Sequence, residues 1–495
     1  MGDIIVQALF NIFEWENILA IVLGVAFGLF IGSMPGLSVT MGVALMLPLT
    51  FGLPPTSGIL LLVGVYCAGT YAGSISAILI NNPGTIGSAT TAADGFNLSK
   101  QGRAYYALNI AIYASVAGSL FSGIVLFLFA PSIANFALRF GPPEYFMLAM
   151  FGLTVVTMVS GKYLLNGLVM ACLGMLIATI GLDPIEGTYR FTFNIDYLLS
   201  GIDIVPAVVG LFAVAEIFNQ MEQGAKPISS DTEIKKEKFS LKNMFPFKKT
   251  IFKSSIIGVI VGIIPGTGGV IGSALSYNEA KRTSKNPESY GKGNPEGVAA
   301  SESGNNGVTG ATLIPMMTLG IPGDAPTAVL LGALMVQGLS PGPDLFSTNG
   351  IIAYSVITGF ILVTIIMFIE AKLAIKLFAK VINIPPYFLW PIVLVLCLIG
   401  TYAVDNNMSS VVVTLFFGIL GYILPKYNYP IIPILLGIVL GPIAETSLMQ
   451  SLVISNGSFL IFLTRPISIV FAVLIVLSII FSILGILRSK KIQEN

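Results

Sequence analysis

Two short Pro-Gly segments in apolar surroundings carry the polar residues best suited to binding a ligand. One reads Ile-Asn-Asn-Pro-Gly-Thr-Ile-Gly-Ser over residues 80–88, and the other reads Leu-Gly-Ile-Pro-Gly-Asp-Ala-Pro-Thr over residues 319–327. Proline removes a backbone donor and glycine permits unusual turns, so each segment is expected to interrupt a helix. The freed N–H groups at a helix start suit an anion such as a carboxylate, and freed carbonyls suit a cation.

Amides and hydroxyls cluster at both breaks and in the run 303–310, and each must face protein, water or a ligand. We therefore predict that half-helix ends at 81–88 and 322–327 hold the carboxylates of an organic anion. The predicted substrate-binding residues are Asn81, Asn82, Pro83, Gly84, Thr85, Ser88, Asn305, Asn306, Thr309, Pro322, Gly323, Asp324 and Thr327. Those expected to hydrogen-bond the substrate are Thr85, Ser88, Asn305 and Thr309.

A coupling cation, Na⁺ or H⁺, is expected near unwound carbonyls of the same breaks. Asp324 follows Pro322 by two residues in an apolar surround, which makes it the first candidate for a charge-bearing coupling group. An alternative role for Asp324 is to cap the next helix. The ion-coupling candidates are Pro35, Gly36, Pro265, Gly266, Thr267 and Asp324. No organic cofactor and no bound metal beyond such a Na⁺ is expected.

Composition indicates the elements that must position these residues. The 495 residues are 55% hydrophobic and 10% charged, whereas soluble domains are about 25% charged. No charged residue occurs between residues 17 and 93, and a helix of roughly 20 apolar residues crosses a bilayer. The chain is therefore expected to be an all-α polytopic membrane protein with about 11–14 membrane segments, some of them discontinuous or re-entrant.

The same composition excludes several classes of function. The chain has no histidine and 3 cysteines, which excludes histidine acid–base chemistry, histidine or multi-cysteine metal sites and a disulfide framework. The formal net charge of +1 gives no indication of nucleic-acid binding. An intramembrane enzyme would need a nucleophile–base pair or a metal cluster, and the sequence offers neither.

Motifs recur in the same order in the two halves of the chain, which indicates a duplication. Gly-x-x-x-Gly-x-x-Pro-Gly ends at Gly36 and again at Gly266, and the second Pro-Gly recurs at 83–84 and 322–323. Paired interruptions of this kind are the best sequence indication of a secondary-transporter site. A Pro-Pro pair followed by aromatic residues recurs at 142–143 and 385–386.

Charge predicts that the two repeats have inverted topologies. Eight lysines lie between residues 221 and 253, and the chain ends with Arg488, Lys490 and Lys491. By the positive-inside rule the central linker and the C-terminus are cytoplasmic, and the N-terminus is outside. The predicted divisions are a first membrane repeat at 1–220, a cytoplasmic linker at 221–250, a second repeat at 251–463, and an extra helix with its tail at 464–495.

Several motifs together resemble a known family. They are Pro-Gly-Thr-Gly-Gly at 265–269, Tyr-Gly-Lys-Gly-Asn-Pro-Glu-Gly-Val-Ala at 290–299, Glu302, Asn305-Asn306, Leu-Gly-Ile-Pro-Gly at 319–323, Gly-Leu-Ser-Pro-Gly-Pro at 338–343, Met-Pro-Gly-Leu at 34–37 and Asn-Pro-Gly-Thr at 82–85. The chain resembles the large membrane subunit of tripartite tricarboxylate transporters. Gln337 departs from the family, where histidine is common, so the resemblance implies no histidine proton relay here.

The resemblance implies a permease of the inner (cytoplasmic) membrane that imports organic acids such as citrate and other di- and tricarboxylates. It also implies a cation gradient as the energy source, together with two partners: a small membrane subunit and an extracytoplasmic solute-binding protein. Secondary transport is thus the predicted function. A channel, or a membrane scaffold without transport of its own, remains the alternative.

Overall fold

The chain folds almost entirely into helices in this structure, a computed structural model. It describes residues 2–159, 163–183, 186–224, 234, 237, 239–381 and 386–493. The helices of the first half are α1 (Gly2–Ile12), α2 (Trp15–Ser33), α3 (Val39–Met46), α4 (Pro55–Ile80), α5 (Ala89–Lys100), α6 (Ala104–Ala137), α7 (Pro142–Val159), α8 (Leu164–Ala178), α9 (Ile204–Val208) and α10 (Ala215–Gln223). Those of the second half are α11 (Lys248–Ile263), α12 (Gly268–Thr283), α13 (Pro295–Leu319), α14 (Ala325–Val336), α15 (Pro343–Ser347), α16 (Gly350–Val381), α17 (Pro386–Asp405), α18 (Met408–Ile423), α19 (Ile432–Ile454), α20 (Ile461–Thr464) and α21 (Pro466–Gln493).

Shorter elements connect these helices. A two-stranded antiparallel hairpin pairs β1 (Gly181–Leu182) with β2 (Tyr189–Arg190), with Gly181 opposite Arg190. A π-helical stretch, Val209–Val214, joins α9 to α10. Short 3₁₀ helices occur at Pro48–Thr50, Ile86–Ser88, Asp196–Ser200, Leu241–Phe247, Pro287–Ser289 and Leu424–Tyr427.

The predicted all-α polytopic membrane fold is confirmed. Within the described residues, 8 helical segments are long and apolar enough to span a bilayer. They are Trp15–Ser33, Pro55–Ile80, Ala104–Ala137, Ile204–Gln223, Gly350–Ile375, Tyr387–Asp405, Met408–Tyr427 and Ile432–Ile454. Further apolar helices, such as α8 and α14, are shorter, as expected for membrane segments that do not fully cross.

Two compact units divide the described chain. The first contains residues 1–134 and 216–400, and the second contains residues 135–215 and 401–495. Each unit therefore takes one stretch from the first half of the sequence and one from the second. The repeat boundaries at 220, 250 and 463 remain predictions.

The order of elements around the Pro-Gly motifs is the same in both halves, and both sets lie in the first unit. A helix ends before the first Pro-Gly and another begins after it, namely α2 and α3 in one half and α11 and α12 in the other. A long helix then ends at the second Pro-Gly, namely α4 and α13. The inverted topology of the two repeats and the sidedness of the termini remain predictions.

Glycines allow the paired helices to pack closely in both halves. A Cβ on Gly28 would lie 2.7 Å from the Val65 carbonyl oxygen of α4, and one on Gly258 would lie 2.4 Å from the Gly304 carbonyl oxygen of α13. These approaches are too close for any larger residue. The Gly-x-x-x-Gly pattern thus holds α2 against α4 and α11 against α13.

Parts of the predicted linker and of one repeated motif lie outside the described residues. These are positions 225–233, 235–236 and 238 of the linker, and Pro385 of the second Pro-Pro pair. The described end of the linker forms the Leu241–Phe247 helix, and α11 begins immediately after it at Lys248.

Candidate functional site

The two Pro-Gly breaks of the second half are hydrogen-bonded to each other. The first break separates α11 from α12 and the second separates α13 from α14. The Gly266 N–H donates to the Gly323 carbonyl at 2.8 Å, and Gly266 has a φ of +79°, a conformation that favours glycine. Pro265, Gly266, Pro322 and Gly323 therefore form one junction rather than two separate kinks.

The two breaks of the first half also adjoin. The Gly84 N–H donates to the Gly73 carbonyl of α4 at 3.1 Å, and a Cβ on Gly84 would lie 2.1 Å from the Gly32 carbonyl oxygen, near the end of α2. Gly36, three residues beyond that end, has a φ of +86°, close to the value for Gly266. Corresponding glycines thus make corresponding turns in the two halves.

Asn305, on α13, lies where a break from each half meets. Its Oδ1 would be 2.4 Å from a Cβ on Gly87 and 2.3 Å from a Cβ on Gly269, so a larger residue at either position would displace this side chain. The side chain is 1% exposed and its Nδ2 donates to the Thr70 carbonyl at 3.5 Å. The structure therefore brings the predicted segment 81–88 against the start of α12 through one asparagine.

Asp324 performs the helix-capping role and makes a further contact. Its Oδ1 accepts from the Thr327 backbone N–H at 3.0 Å and from the Thr327 hydroxyl at 2.7 Å. Its Oδ2 accepts from the Tyr66 hydroxyl of α4 at 2.7 Å, and that hydroxyl lies 3.0 Å from Thr312 Oγ1. A Cβ on Gly268 would lie 3.4 Å from the Asp324 Cβ, so this carboxylate lies beside the start of α12.

The start of α12 lacks a side-chain cap from Thr267. The Thr267 hydroxyl donates instead to the carbonyl of Val261 in the preceding helix and to that of Ile264 just after it. The first N–H groups of α12 thus keep their capacity for an acceptor, as at helix starts that bind anions. By contrast, Thr85 and Ser88 cap each other, and Ser88 Oγ also donates to the Gly73 carbonyl at 2.9 Å.

The predicted site residues differ in their access to the surroundings. Asn81 and Asn82 are exposed, and Pro83, Thr85 and Asp324 are partly exposed. Thr309 is buried and donates to the Asn306 carbonyl at 2.7 Å. The remaining predicted residues are also buried, namely Gly84, Ser88, Asn305, Asn306, Pro322, Gly323 and Thr327.

Asn306 faces a different group of side chains from its neighbour Asn305. Its Nδ2 donates to Ser115 Oγ at 2.9 Å and to Glu302 Oε2 at 3.3 Å. Glu302 is 0% exposed and also accepts from the hydroxyls of Thr91, at 2.6 Å, and Ser115, at 2.8 Å. Sequence reasoning assigned Glu302 no role of its own, although it is the sole charged residue between positions 297 and 323.

A second buried carboxylate, Asp94, joins α5 to a loop of the second half. Its Oδ1 accepts backbone N–H bonds from Gly291 at 2.8 Å, Gly293 at 2.9 Å and Asn294 at 2.7 Å. Its Oδ2 accepts from the Tyr277 hydroxyl at 2.9 Å. The separation of these partners in sequence left this contact unpredicted.

The stretches around the Pro-Gly breaks contain two charged residues, and both are acidic. The stretches 17–93, 254–278 and 297–343, which contain all four Pro-Gly motifs, include no lysine or arginine and only Glu302 and Asp324 as acids. An anion bound there would meet backbone N–H groups, hydroxyls and amides rather than a basic side chain.

Comparison with known proteins identifies the family to which this chain belongs. Residues 18–436 match the model of the tripartite tricarboxylate transporter TctA family. A relative from Agrobacterium vitis, described as an uncharacterized 52.8 kDa protein in the TAR-I ttuC' 3' region, is 35% identical over 96% of this chain and 95% of its own length. Another, described as an uncharacterized protein in the TAR-II ttuC' 3' region of the same organism, is 36% identical over 48% of this chain and 98% of its own length. No solved structure matches.

Proposed function

Because the chain belongs to the tripartite tricarboxylate transporter TctA family, we propose that it is the permease that carries organic carboxylate anions across the inner membrane. It imports di- or tricarboxylates such as citrate and uses a Na⁺ or H⁺ gradient. The observation that carries the proposal is the meeting of the breaks at Asn305, where Gly87 and Gly269 contact one side chain. Secondary transporters typically build their substrate sites from discontinuous helices at the interface between repeats.

The substrate carboxylates bind at the start of α12 and along the segment 81–88. The uncapped N–H groups after Thr267 supply donors and the positive helix end. Thr85 is partly exposed, and its hydroxyl accepts from the Ser88 N–H at the turn before α5. Asn305 and the exposed amides of Asn81 and Asn82 complete a neutral, hydrogen-bonding surface, which can release an anion more readily than an arginine clamp would.

Cation coupling follows from the negative charge of Asp324. This carboxylate lies beside the start of α12, so an ionised Asp324 opposes a substrate anion there. A cation that neutralises Asp324, helped by the carbonyls at Pro35-Gly36 and Pro265-Gly266, removes that opposition. Cation binding therefore precedes substrate binding, and the two are transported together.

The partners follow from the same family assignment. An extracytoplasmic solute-binding protein delivers the anion, and a small membrane subunit completes the complex. The N-terminus lies outside, and the 221–250 linker and the C-terminus are cytoplasmic. The two inverted repeats then expose the site alternately to the two sides.

Uptake into proteoliposomes tests this proposal. Wild-type complex, with its binding protein supplied, is expected to accumulate radiolabelled citrate or another di- or tricarboxylate in a saturable manner that requires an imposed cation gradient. Asn305→Ala is expected to lower the rate at least tenfold, while Asn278→Ala, at an exposed asparagine of α12, leaves it unchanged. Uptake without any gradient requirement, or an ohmic current, would instead indicate a channel.

A further inference from the structure

Glu302 is a buried carboxylate that forms no ion pair with any lysine or arginine that the structure describes. It is 0% exposed, and the stretch 297–343 that surrounds it in sequence contains no lysine or arginine. Its hydrogen-bond donors are neutral, namely the hydroxyls of Thr91 and Ser115 and the amide of Asn306. An ionised carboxylate in a dry interior is unfavourable unless a cation accompanies it.

Two oxygen atoms close to Glu302 have no hydrogen-bond partner among the residues that the structure describes. One is Asn306 Oδ1, which belongs to the amide whose Nδ2 contacts Glu302, and the residue is 0% exposed. The other is the Tyr71 hydroxyl of α4, in a residue 1% exposed and within electrostatic reach of Glu302. Buried polar atoms are nearly always paired, so unpaired oxygens beside an uncompensated carboxylate indicate an absent ligand with positive charge.

We propose that Glu302, Asn306 Oδ1 and the surrounding hydroxyls form a Na⁺ site, separate from Asp324, that couples cation binding to the substrate site. All the donors are oxygens, which suits a hard cation, and one carboxylate balances one positive charge. Na⁺ can take both the carboxylate and the amide oxygen as ligands at once. A proton would neutralise Glu302 but could donate only one hydrogen bond.

The site lies where it can influence substrate binding. Thr91 lies on α5, the helix that directly follows the Ile86–Ser88 turn. Asn306 is adjacent to Asn305, the residue at which the breaks meet. An ion bound by both Thr91 and Glu302 therefore fixes α5 against α13 and holds the segment 83–88 in position. This coupling step depends on the proposed transport function, whereas Na⁺ binding itself does not.

The carboxylate on α5 already has hydrogen-bond partners. Asp94, three residues beyond Thr91 on α5, accepts three backbone N–H bonds and the Tyr277 hydroxyl of α12. Ser74 of α4 adds a further hydroxyl near Glu302. Of the described titratable groups on these helices, Tyr71 is therefore the one that faces Glu302 without a hydrogen-bond partner.

Thermal unfolding of the full-length protein in detergent tests the site. The melting temperature is measured against NaCl, KCl and choline chloride at constant ionic strength and pH. Wild type is expected to be stabilised by Na⁺ over choline in a saturable manner, because a ligand of the native state raises stability. Glu302→Gln keeps the side-chain size and should weaken apparent Na⁺ affinity at least tenfold, while Glu288→Gln, at an exposed glutamate, should leave it unchanged.

Thr91→Val and Ser115→Ala provide milder variants should Glu302→Gln fail to fold, and each should weaken Na⁺ affinity severalfold. Equal Na⁺ stabilisation of wild type and Glu302→Gln would overturn the proposal, as would a wild-type protein that responds to pH but not to Na⁺. If Na⁺ binding depends on Glu302 but the vesicles take up no carboxylate, the transport proposal fails and the ion site stands. If uptake occurs without this Na⁺ binding, the ion site alone fails.

Discussion

The backbone N–H of Gly266 donates a hydrogen bond to the carbonyl of Gly323 at 2.8 Å. This bond joins two helix breaks that lie 57 positions apart, as their residue numbers show. It fixes the start of α12 beside the start of α14, with Asp324 between them. The uncapped start of α12 is thereby held beside a helix start that Asp324 already caps, so an anion bound at α12 would lie next to that carboxylate.

Gly84→Ala should damage the junction in the first half. The added methyl group would lie 2.1 Å from the Gly32 carbonyl oxygen, and such overpacking typically costs about 1–3 kcal/mol. We expect a lower midpoint of thermal unfolding and slower uptake. Gly52→Ala is the matched control, because a Cβ there meets no atom within 4 Å. Equal melting temperatures for the two variants would contradict this packing.

Two substitutions at Asp324 separate its capping role from its coupling role. Asparagine is as good an N-cap as aspartate, whereas alanine loses roughly 1 kcal/mol of helix stability. Asp324→Asn should therefore unfold close to the wild-type temperature but lose cation-dependent uptake at least tenfold, and Asp324→Ala should lose both. Wild-type uptake by Asp324→Asn would leave this residue with the capping role alone.

Asp94→Ala should release the loop that contains Gly291 and Gly293. The change removes an acceptor for three backbone N–H groups and for the Tyr277 hydroxyl. Hydrogen bonds to a charged group contribute about 1.5–3 kcal/mol each when intact, and water can replace part of that at the exposed loop. We expect stability to fall by about 2–3 kcal/mol, with faster proteolysis of residues 284–294. Glu288→Ala, in the same loop, serves as the control and should change neither quantity.

The Asp203 carboxyl of the second unit should make stability depend on pH. Partial burial, together with the nearby Asp405 carboxylate, raises the pKa of Asp203 to about 6, from roughly 3.9 in an unfolded chain. The folded state thus binds the proton of the Asp203 carboxyl more tightly than the unfolded state does. The stability gained from this protonation is complete below about pH 4 and is lost as the pH rises through 6. Asp203→Asn has no carboxyl to titrate, so this loss of stability with rising pH should disappear. The melting temperature of this variant should therefore rise relative to that of wild type between pH 4 and pH 7. Parallel curves of melting temperature against pH would contradict the raised pKa of Asp203.

Local chemistry made part of this site predictable from the sequence. Proline and glycine act on the backbone where they stand, so the ends of α4 and α13 could be located from Pro83-Gly84 and Pro322-Gly323. The cap at Asp324 followed from its place before a helix start. Asn305 was identified by residue type, but its position between Gly87 and Gly269 depends on packing between distant segments.

Long-range packing made the rest unpredictable. The partners of Asp94 lie about 200 residues away in sequence, as the bond to Asn294 shows. The division into two units, each made of two separate stretches of sequence, likewise depends on which helices pack together rather than on the order of the helices along the chain. Glu302 did carry a signal, because an isolated charge in an apolar stretch requires a functional explanation.

Protection of a thiol by bound substrate is the decisive test for an anion site at the junction. Ile86, 78% exposed at the turn before α5, is replaced by Ile86→Cys in a chain whose Cys67, Cys172 and Cys397 are changed to alanine. A carboxylate that the vesicles take up, with citrate tried first, should slow maleimide labelling of this thiol at least fivefold in the presence of the coupling cation. It should not slow labelling of Glu288→Cys. Unchanged labelling of Ile86→Cys at saturating substrate would contradict an anion site where these broken helices meet.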